Sequence, residues 1–135
     1  MLANNLSPSS EDYLETILEL SDQKEAVRSV DIADHLNVSK ASVSKAMGIL
    51  RQAGLIDQAF YGLIHLTDDG RERANEILLR HTMLKRFLME ILNLDETTAE
   101  MDACRMEHVI SPVTMEKWME YLSQILQGNL QSDQD

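Results

Sequence analysis

The chain has 135 residues, a net charge of −11, and a composition that is 44% hydrophobic but only 4% aromatic. Such a chain makes one compact unit or two small ones, with a core of Leu, Ile, Val, Met and Ala that suits packed helices. No run approaches a membrane-spanning length, the first residues lack the basic start and apolar stretch of a signal peptide, and the single cysteine, Cys104, excludes an internal disulfide, so a cytoplasmic protein with no membrane partner is expected.

At face value the acidic surplus argues against nucleic acid, but it is unevenly spread. Residues 24–54 hold Lys24, Arg28, Lys40, Lys45 and Arg51 against Glu25, Asp31 and Asp34, a net of +2, whereas residues 88–135 hold ten acids against Arg105 and Lys117, a net of −8. The front half is therefore suited to phosphate and the back half is not.

In chain order, Ser7-Pro8 reads as a helix start, with a hydroxyl cap and proline at the first helical position. Glu11 and Asp12 fall in the first turn, where the helix dipole favours anions, and Tyr13, Leu14, Ile17 and Leu18 form the apolar arc. Asp12, Glu15 and Glu19 share another face, which reads either as a solvated acidic stripe or as a source of ligands. A short helix, Val30 to Leu36, turns Ile32, Ala33 and Leu36 inward; Asn37-Val38 makes a tight turn, and Ser39 caps a second helix from Lys40 to about Gln52, with Val43, Ala46, Met47 and Leu50 inward. Two short helices around a tight turn form a helix-turn-helix. Its second helix exposes Ser39, Lys40, Ser42, Ser44 and Lys45, small hydroxyls and lysines that permit close approach to a major groove, with Arg28 and Arg51 nearby.

After Gly54, residues 55–59 and 63–67 read as two strands joined by a turn at Phe60-Tyr61-Gly62, the wing of a winged helix, with Tyr61 a further candidate for DNA contact. The next helix is expected from about Arg71 to Leu92, with an apolar stripe of Ala74, Ile77, Leu78, Leu84, Leu88 and Ile91 that contains His81. A further helix spans about Thr97 to Ile110, with a buried arc of Ala103, Met106, Val109 and Ile110, and Ser111-Pro112 starts the last one. That helix repeats Met115, Trp118, Met119, Leu122, Ile125 and Leu126, and a polar, frayed tail is expected from Gly128. The expected organisation is 1–70, 71–127 and the tail 128–135.

Cys104, Glu107 and His108 stand at i, i+3 and i+4 and so share one helix face, largely outside the expected buried arc. One thiolate, one carboxylate and one imidazole make a transition-metal half-site. Asp12, Glu15 and His81 are three further donors on helices that could pack against it, and the mixed set suits Fe²⁺, Mn²⁺, Co²⁺ or Ni²⁺ better than calcium. No nucleophile with its base, glycine-rich phosphate loop or His-Glu-x-x-His helix is present, so neither an enzyme nor an organic ligand is expected.

Residues 7–17 (Ser-Pro-Ser-Ser-Glu-Asp-Tyr-Leu-Glu-Thr-Ile) resemble the opening of the diphtheria toxin repressor / manganese transport regulator family. So do residues 32–39 (Ile-Ala-Asp-His-Leu-Asn-Val-Ser), Ala41-Ser42-Val43, Leu66-Thr67-Asp68-Asp69-Gly70, Arg80-His81 and residues 104–111 (Cys-Arg-Met-Glu-His-Val-Ile-Ser), in the family's order and spacing. The resemblance implies an N-terminal winged helix with a two-stranded wing, followed by an all-α dimerisation and metal-binding domain. It implies a homodimer that takes Fe²⁺ or Mn²⁺ and represses metal-uptake genes at palindromic operators. By motif, Asp12, Glu15, His81, Cys104, Glu107 and His108 are the ligands: Asp12, Cys104, Glu107 and His108 at the regulatory position, His81 at an adjacent one, and Glu15 and Glu107 placed to bridge them. Asp12 with Glu15 is the manganese-type pattern, whereas Cys104 is the iron-type residue. The iron branch often carries a third, SH3-like domain, for which 135 residues leave no room. Lys85 and Glu100 stand where that branch has second-site ligands.

The expectation is therefore a mainly α, metal-activated homodimeric repressor, with Fe²⁺ first and Mn²⁺ next, and Co²⁺, Ni²⁺ or Zn²⁺ as substitutes. The alternatives are a metal-independent winged-helix regulator with Cys104 merely buried and, more remotely, a small metalloenzyme using Glu107 as a base.

Overall fold

The computed structural model describes residues 6–58 and 62–134, with side chains to residue 127. Its order is α1 (Pro8–Gln23), α2 (Ser29–Leu36), α3 (Lys40–Gln52), β1 (Ile56–Gln58), β2 (Ile64–Leu66), α4 (Asp68–Glu90), α5 (Glu96–Val109) and α6 (Pro112–Gln134). Two compact units divide within α4, one reaching to Ile77 and the other starting at Leu78. None of the described helices is long and apolar enough to cross a membrane.

The N-terminal unit is a winged helix-turn-helix. Ser7 caps α1, its hydroxyl accepting from the Ser10 N–H at 3.1 Å, and Pro8 occupies the first turn. Asn37 ends α2 in the left-handed region at φ 56°, which lets the chain reverse into α3. Ser39 then caps α3 by accepting from the Ser42 N–H at 3.1 Å. Tyr13, Leu14, Ile17 and Leu18 of α1, Ile32 and Ala33 of α2, and Val43, Ala46, Met47 and Leu50 of α3 enclose one core with Ile56, Ile64, Ala74 and Ile77. β1 and β2 pair antiparallel with Ile56 opposite Leu66 and Gln58 opposite Ile64, and Ile64 also bridges to Val27 ahead of α2. Among the described residues β1 starts at Ile56, one residue later than the sequence suggests, and β2 is shorter than the expected 63–67. Residues 59–61, including the turn residue Tyr61, lie outside the described residues.

The wing returns into α4 through an interlocked corner. Thr67 Oγ1 donates to the Gly54 carbonyl at 2.7 Å and accepts from the Gly70 N–H at 3.0 Å. A β-carbon on Gly70 would stand 1.8 Å from the Leu55 carbonyl oxygen, so only glycine lets the first turn of α4 seat there. This capping by Thr67 starts α4 at Asp68, earlier than the expected Arg71.

The C-terminal unit is all-α. Leu84, Leu88, Ala99, Ala103, Met115, Leu122 and Leu126 form its core, with Phe87 and Trp118 edge to face at 6.1 Å between centroids. The sequence reading needs four corrections here. Leu78 is exposed, because it sits about 100° around α4 from Ile77, off the buried arc. Ile91 is exposed because α4 stops at Glu90 and the chain reverses through Asn93 at φ 59°. In α5 the buried line is Ala99, Ala103 and Glu107, each four residues apart, so Val109 on the far side is 82% exposed and Glu107 faces inward. Finally, α6 runs through Gly128 to Gln134, a helix that absorbs one interior glycine at about 1 kcal/mol.

Candidate metal centre and nucleic-acid face

The last turns of α5 bring one thiol, one carboxylate and one imidazole together. A ligating atom from each of Cys104, Glu107 and His108 lies within 4.8 Å of the others. The Glu107 side chain is fully buried and the His108 side chain is 10% exposed, with His108 Nε2 3.3 Å from Glu107 Oε1. A second imidazole comes from α4: His81, 8% exposed, points Nδ1 toward Glu107 Oε1 at 3.9 Å. Burial of a carboxylate in apolar surroundings is costly unless positive charge accompanies it. Two imidazoles and a soft thiol beside a buried carboxylate are a donor set that fits a divalent transition ion.

On its other side His81 is held by a charged relay. Its Nε2 lies 2.8 Å from Glu100 Oε1, and Lys85 Nζ lies 3.0 Å from Glu100 Oε2 and 3.2 Å from Glu96 Oε1. Partial burial opposes ionisation of Glu100, but the Lys85 hydrogen bond and the His81 imidazole outweigh it, and the carboxyl is held below its ordinary range. The hydrogen bonds from Lys85 to Glu100 and Glu96 push the Lys85 ammonium above its own.

Asp12 and Glu15 lie on α1 of the N-terminal unit, both half-buried, and their neighbour Glu11 is buried with Arg73 at 3.6 Å. On the same unit Lys40, Ser42, Ser44 and Lys45 are exposed along the outer face of α3. Ser39 is exposed but engaged: besides capping the helix it donates to Ser42 Oγ at 2.9 Å. Arg28 is exposed at the start of α2, and Arg51, at the end of α3, donates to Gln58 Oε1 of β1 at 2.9 Å. A feature not anticipated from the sequence is a cleft of about 440 Å³ between the start of α1 and α3, lined by Ser7, Ser9, Tyr13, Ser42, Lys45 and Ile49. Its residues are 42 positions apart at the extremes, and no local pattern joins them.

A winged helix with a basic recognition face, joined to a helical unit that assembles soft and hard donors around a buried carboxylate, defines a metal-dependent transcriptional repressor. Two family models match in tandem: the iron-dependent repressor N-terminal DNA-binding domain over residues 5–63, and the iron-dependent repressor metal-binding and dimerisation domain over residues 67–127. The chain belongs to this iron-dependent repressor family, which contains the diphtheria toxin repressor. It is 36% identical over 113 residues to a helix-turn-helix transcriptional regulator of Methanocaldococcus jannaschii, covering 83% of this chain and 90% of that one. It is 32% identical over 107 residues to the diphtheria toxin repressor of Corynebacterium diphtheriae, covering 79% of this chain but 47% of the repressor. Among solved structures, the manganese regulator SloR superposes with a TM-score of 0.72 at 30% identity, over 87% of this chain and 55% of that one. A manganese-dependent transcriptional repressor in complex with manganese superposes at 0.70 and 27% identity, over 84% of this chain and 52% of that one. The chain thus spans about half the length of these longer relatives.

Proposed function

We propose that this protein is a cytoplasmic homodimeric repressor that binds palindromic operators of metal-homeostasis genes when it carries Fe²⁺ or Mn²⁺. The observation that carries the reading is the convergence of Cys104, Glu107 and His108 within 4.8 Å around a fully buried carboxylate. Asp12 and Glu15 of α1 would complete the set with His81. The metal supplies fixed positive charge and directional bonds to these donors.

The consequence for DNA follows from how α1 is built into the N-terminal unit. It shares one core with α2 and α3, so holding its two carboxylates holds the recognition helix. In a homodimer this sets the separation of two recognition helices, which half-sites one helical turn apart demand. Lys40, Lys45, Arg28 and Arg51 would meet phosphates, Ser39, Ser42 and Ser44 would face bases or adjacent phosphates, and Tyr61 of the wing would lie against DNA. Metal must prefer the DNA-competent arrangement for the switch to operate. Within the C-terminal unit, exposed Leu79, Leu92, Met101, Val113 and Tyr121 offer apolar surface of the kind a self-association interface covers.

Operator binding titrated anaerobically with Fe²⁺, Mn²⁺ and Zn²⁺ tests the reading. Metal should raise affinity for the operator, and His108→Ala should abolish that rise while light scattering still reports a dimer. Cys104→Glu should move the preference toward Mn²⁺, since a carboxylate is the harder ligand. Retained activation in His108→Ala contradicts the site, and an unchanged Fe²⁺/Mn²⁺ ratio in Cys104→Glu removes the thiolate from the ligand set.

A further inference from the structure

We propose that Lys85 and Glu100 form a positioning relay that fixes the tautomer of His81 and aims its Nδ1 lone pair at the Glu107 carboxylate before any metal arrives. The inference rests on the metal-binding reading above and assigns roles to two residues outside the ligand set.

The geometry is specific. His81 and Lys85 are one turn apart on α4, and Glu96 and Glu100 are one turn apart on α5, so the two pairs interdigitate as Glu96–Lys85–Glu100–His81. An ionised carboxylate only accepts hydrogen bonds. Lys85 Nζ, which can only donate, holds one Glu100 oxygen at 3.0 Å, and the other oxygen faces His81 Nε2 at 2.8 Å as an acceptor, so Nε2 donates. In a neutral imidazole the other nitrogen is then a bare acceptor. That nitrogen, Nδ1, is buried, makes no hydrogen bond among the described residues, and stands 3.9 Å from Glu107 Oε1. A cation between Nδ1 and that carboxylate would engage both.

Stability does not explain the relay. The Lys85 side chain is 26% exposed and those of Glu96 and Glu100 are 74% and 52% exposed, and ion pairs so open to water add little to folding. Orientation of a ligating imidazole is where such a network has leverage. A carboxylate on the far nitrogen sets the tautomer and ring angle and raises ligand basicity, and removing such a partner costs roughly 10–100-fold in metal affinity.

The test uses the full-length protein, with ¹⁵N-histidine labelling and anaerobic Co²⁺ titration. In the metal-free wild type, His81 should give the ¹⁵N pattern of the Nε2–H tautomer. Glu100→Ala should mix the tautomers and weaken Co²⁺ binding by about 10-fold or more, while the thiolate-to-Co²⁺ charge-transfer band from Cys104 persists at saturation. Glu100→Gln, which keeps an acceptor on Nε2, should restore both, and Lys85→Met should fall between. An Nδ1–H tautomer in the wild type, or unchanged Co²⁺ affinity in Glu100→Ala, overturns the relay. Should the wild type take up Co²⁺ without a charge-transfer band, and Cys104→Ser bind it equally well, the metal-centre reading itself fails, a result separable from failure of the relay alone.

Discussion

The two units of this chain solve the problem of folding in different ways. In the N-terminal unit every inward position of α2 and α3 is apolar, Asn37 and Ser39 shape the tight turn between them, and the wing is pinned at a corner where only glycine fits. The C-terminal unit instead places a carboxylate on its inward line, at Glu107, and a histidine at the rim of the same core. It also leaves several large apolar side chains in solvent. In the second, on the reading proposed above, the buried Glu107 and the exposed apolar surface are where a metal and another chain would bind. That reading makes the first unit a rigid reading head and the second a sensing body whose stability would depend on what it binds.

The largest effect that would sharpen this contrast is expected at Gly70. Alanine is normally the better helix residue by about 1 kcal/mol, so propensity alone predicts that Gly70→Ala stabilises α4. The added methyl would collide with the Leu55 carbonyl at 1.8 Å, and backbone on both sides leaves no flexible group to move. Overpacking of this severity should cost about 3 kcal/mol or more. Amide hydrogen exchange on the whole chain should show the loss in the wing and the first turns of α4, with α5 and α6 keeping their protection. A neutral or stabilising outcome would mean that the corner is not the rigid point of the N-terminal unit.

Much of the reading head was legible from residues alone. Val43, Ala46, Met47 and Leu50 recur at helical spacing, and Ser7, Asn37 and Ser39 carry capping chemistry that does not depend on distant contacts. The roles of Gly70 and of the cleft beside α3 were not legible, because both depend on residues brought together only by the tertiary fold. In α5 hydropathy misplaced one residue of the expected arc. Glu107 and Val109 are two residues apart, about 200° around the helix, so placing valine inward turns glutamate outward. Ala103 is buried and Met106 and Ile110 pack against the core as expected, but Val109 is in solvent and Glu107 faces inward. The three donors of the candidate centre were visible in sequence from their i, i+3, i+4 spacing, but the burial that makes them fit a metal was not. Whether Asp12 and Glu15 join them rests on the family motif.

A medium effect tests the opposite half of the comparison. If Glu107 serves as a metal ligand, Glu107→Gln should cost the metal-bound protein more stability than the metal-free one. With Mn²⁺ at about 100 times its dissociation constant, wild type should gain about 2.7 kcal/mol and the variant little. Chemical denaturation of both proteins with Mn²⁺ and with a chelator measures the four values. Strong destabilisation of the metal-free variant would place Glu107 among ordinary structural residues, and the contrast between the units would lose its basis.

The smallest effect returns to the reading head. Asp31, in the first turn of α2, accepts from Lys24 Nζ at 2.8 Å and from the Arg28 N–H at 2.9 Å. The Lys24 hydrogen bond first, and the Arg28 backbone bond second, hold its carboxyl below the ordinary aspartate range. A folded-state pKa that is depressed means stabilisation is complete above the unfolded value of about 3.9 and drains away as pH falls through the folded one. Lys24 is 52% exposed, so screening limits the contribution to about 0.2–1 kcal/mol. Asp31→Asn should therefore be slightly less stable than wild type near neutral pH, with a gap that closes as the pH drops below about 4 and narrows in high salt. Because the same carboxylate steadies the entry to the helix-turn-helix, the variant should also show faster amide exchange at the start of α2, with α5 unaffected. A gap that persists at low pH would make the role of Asp31 one of shape or capping rather than charge.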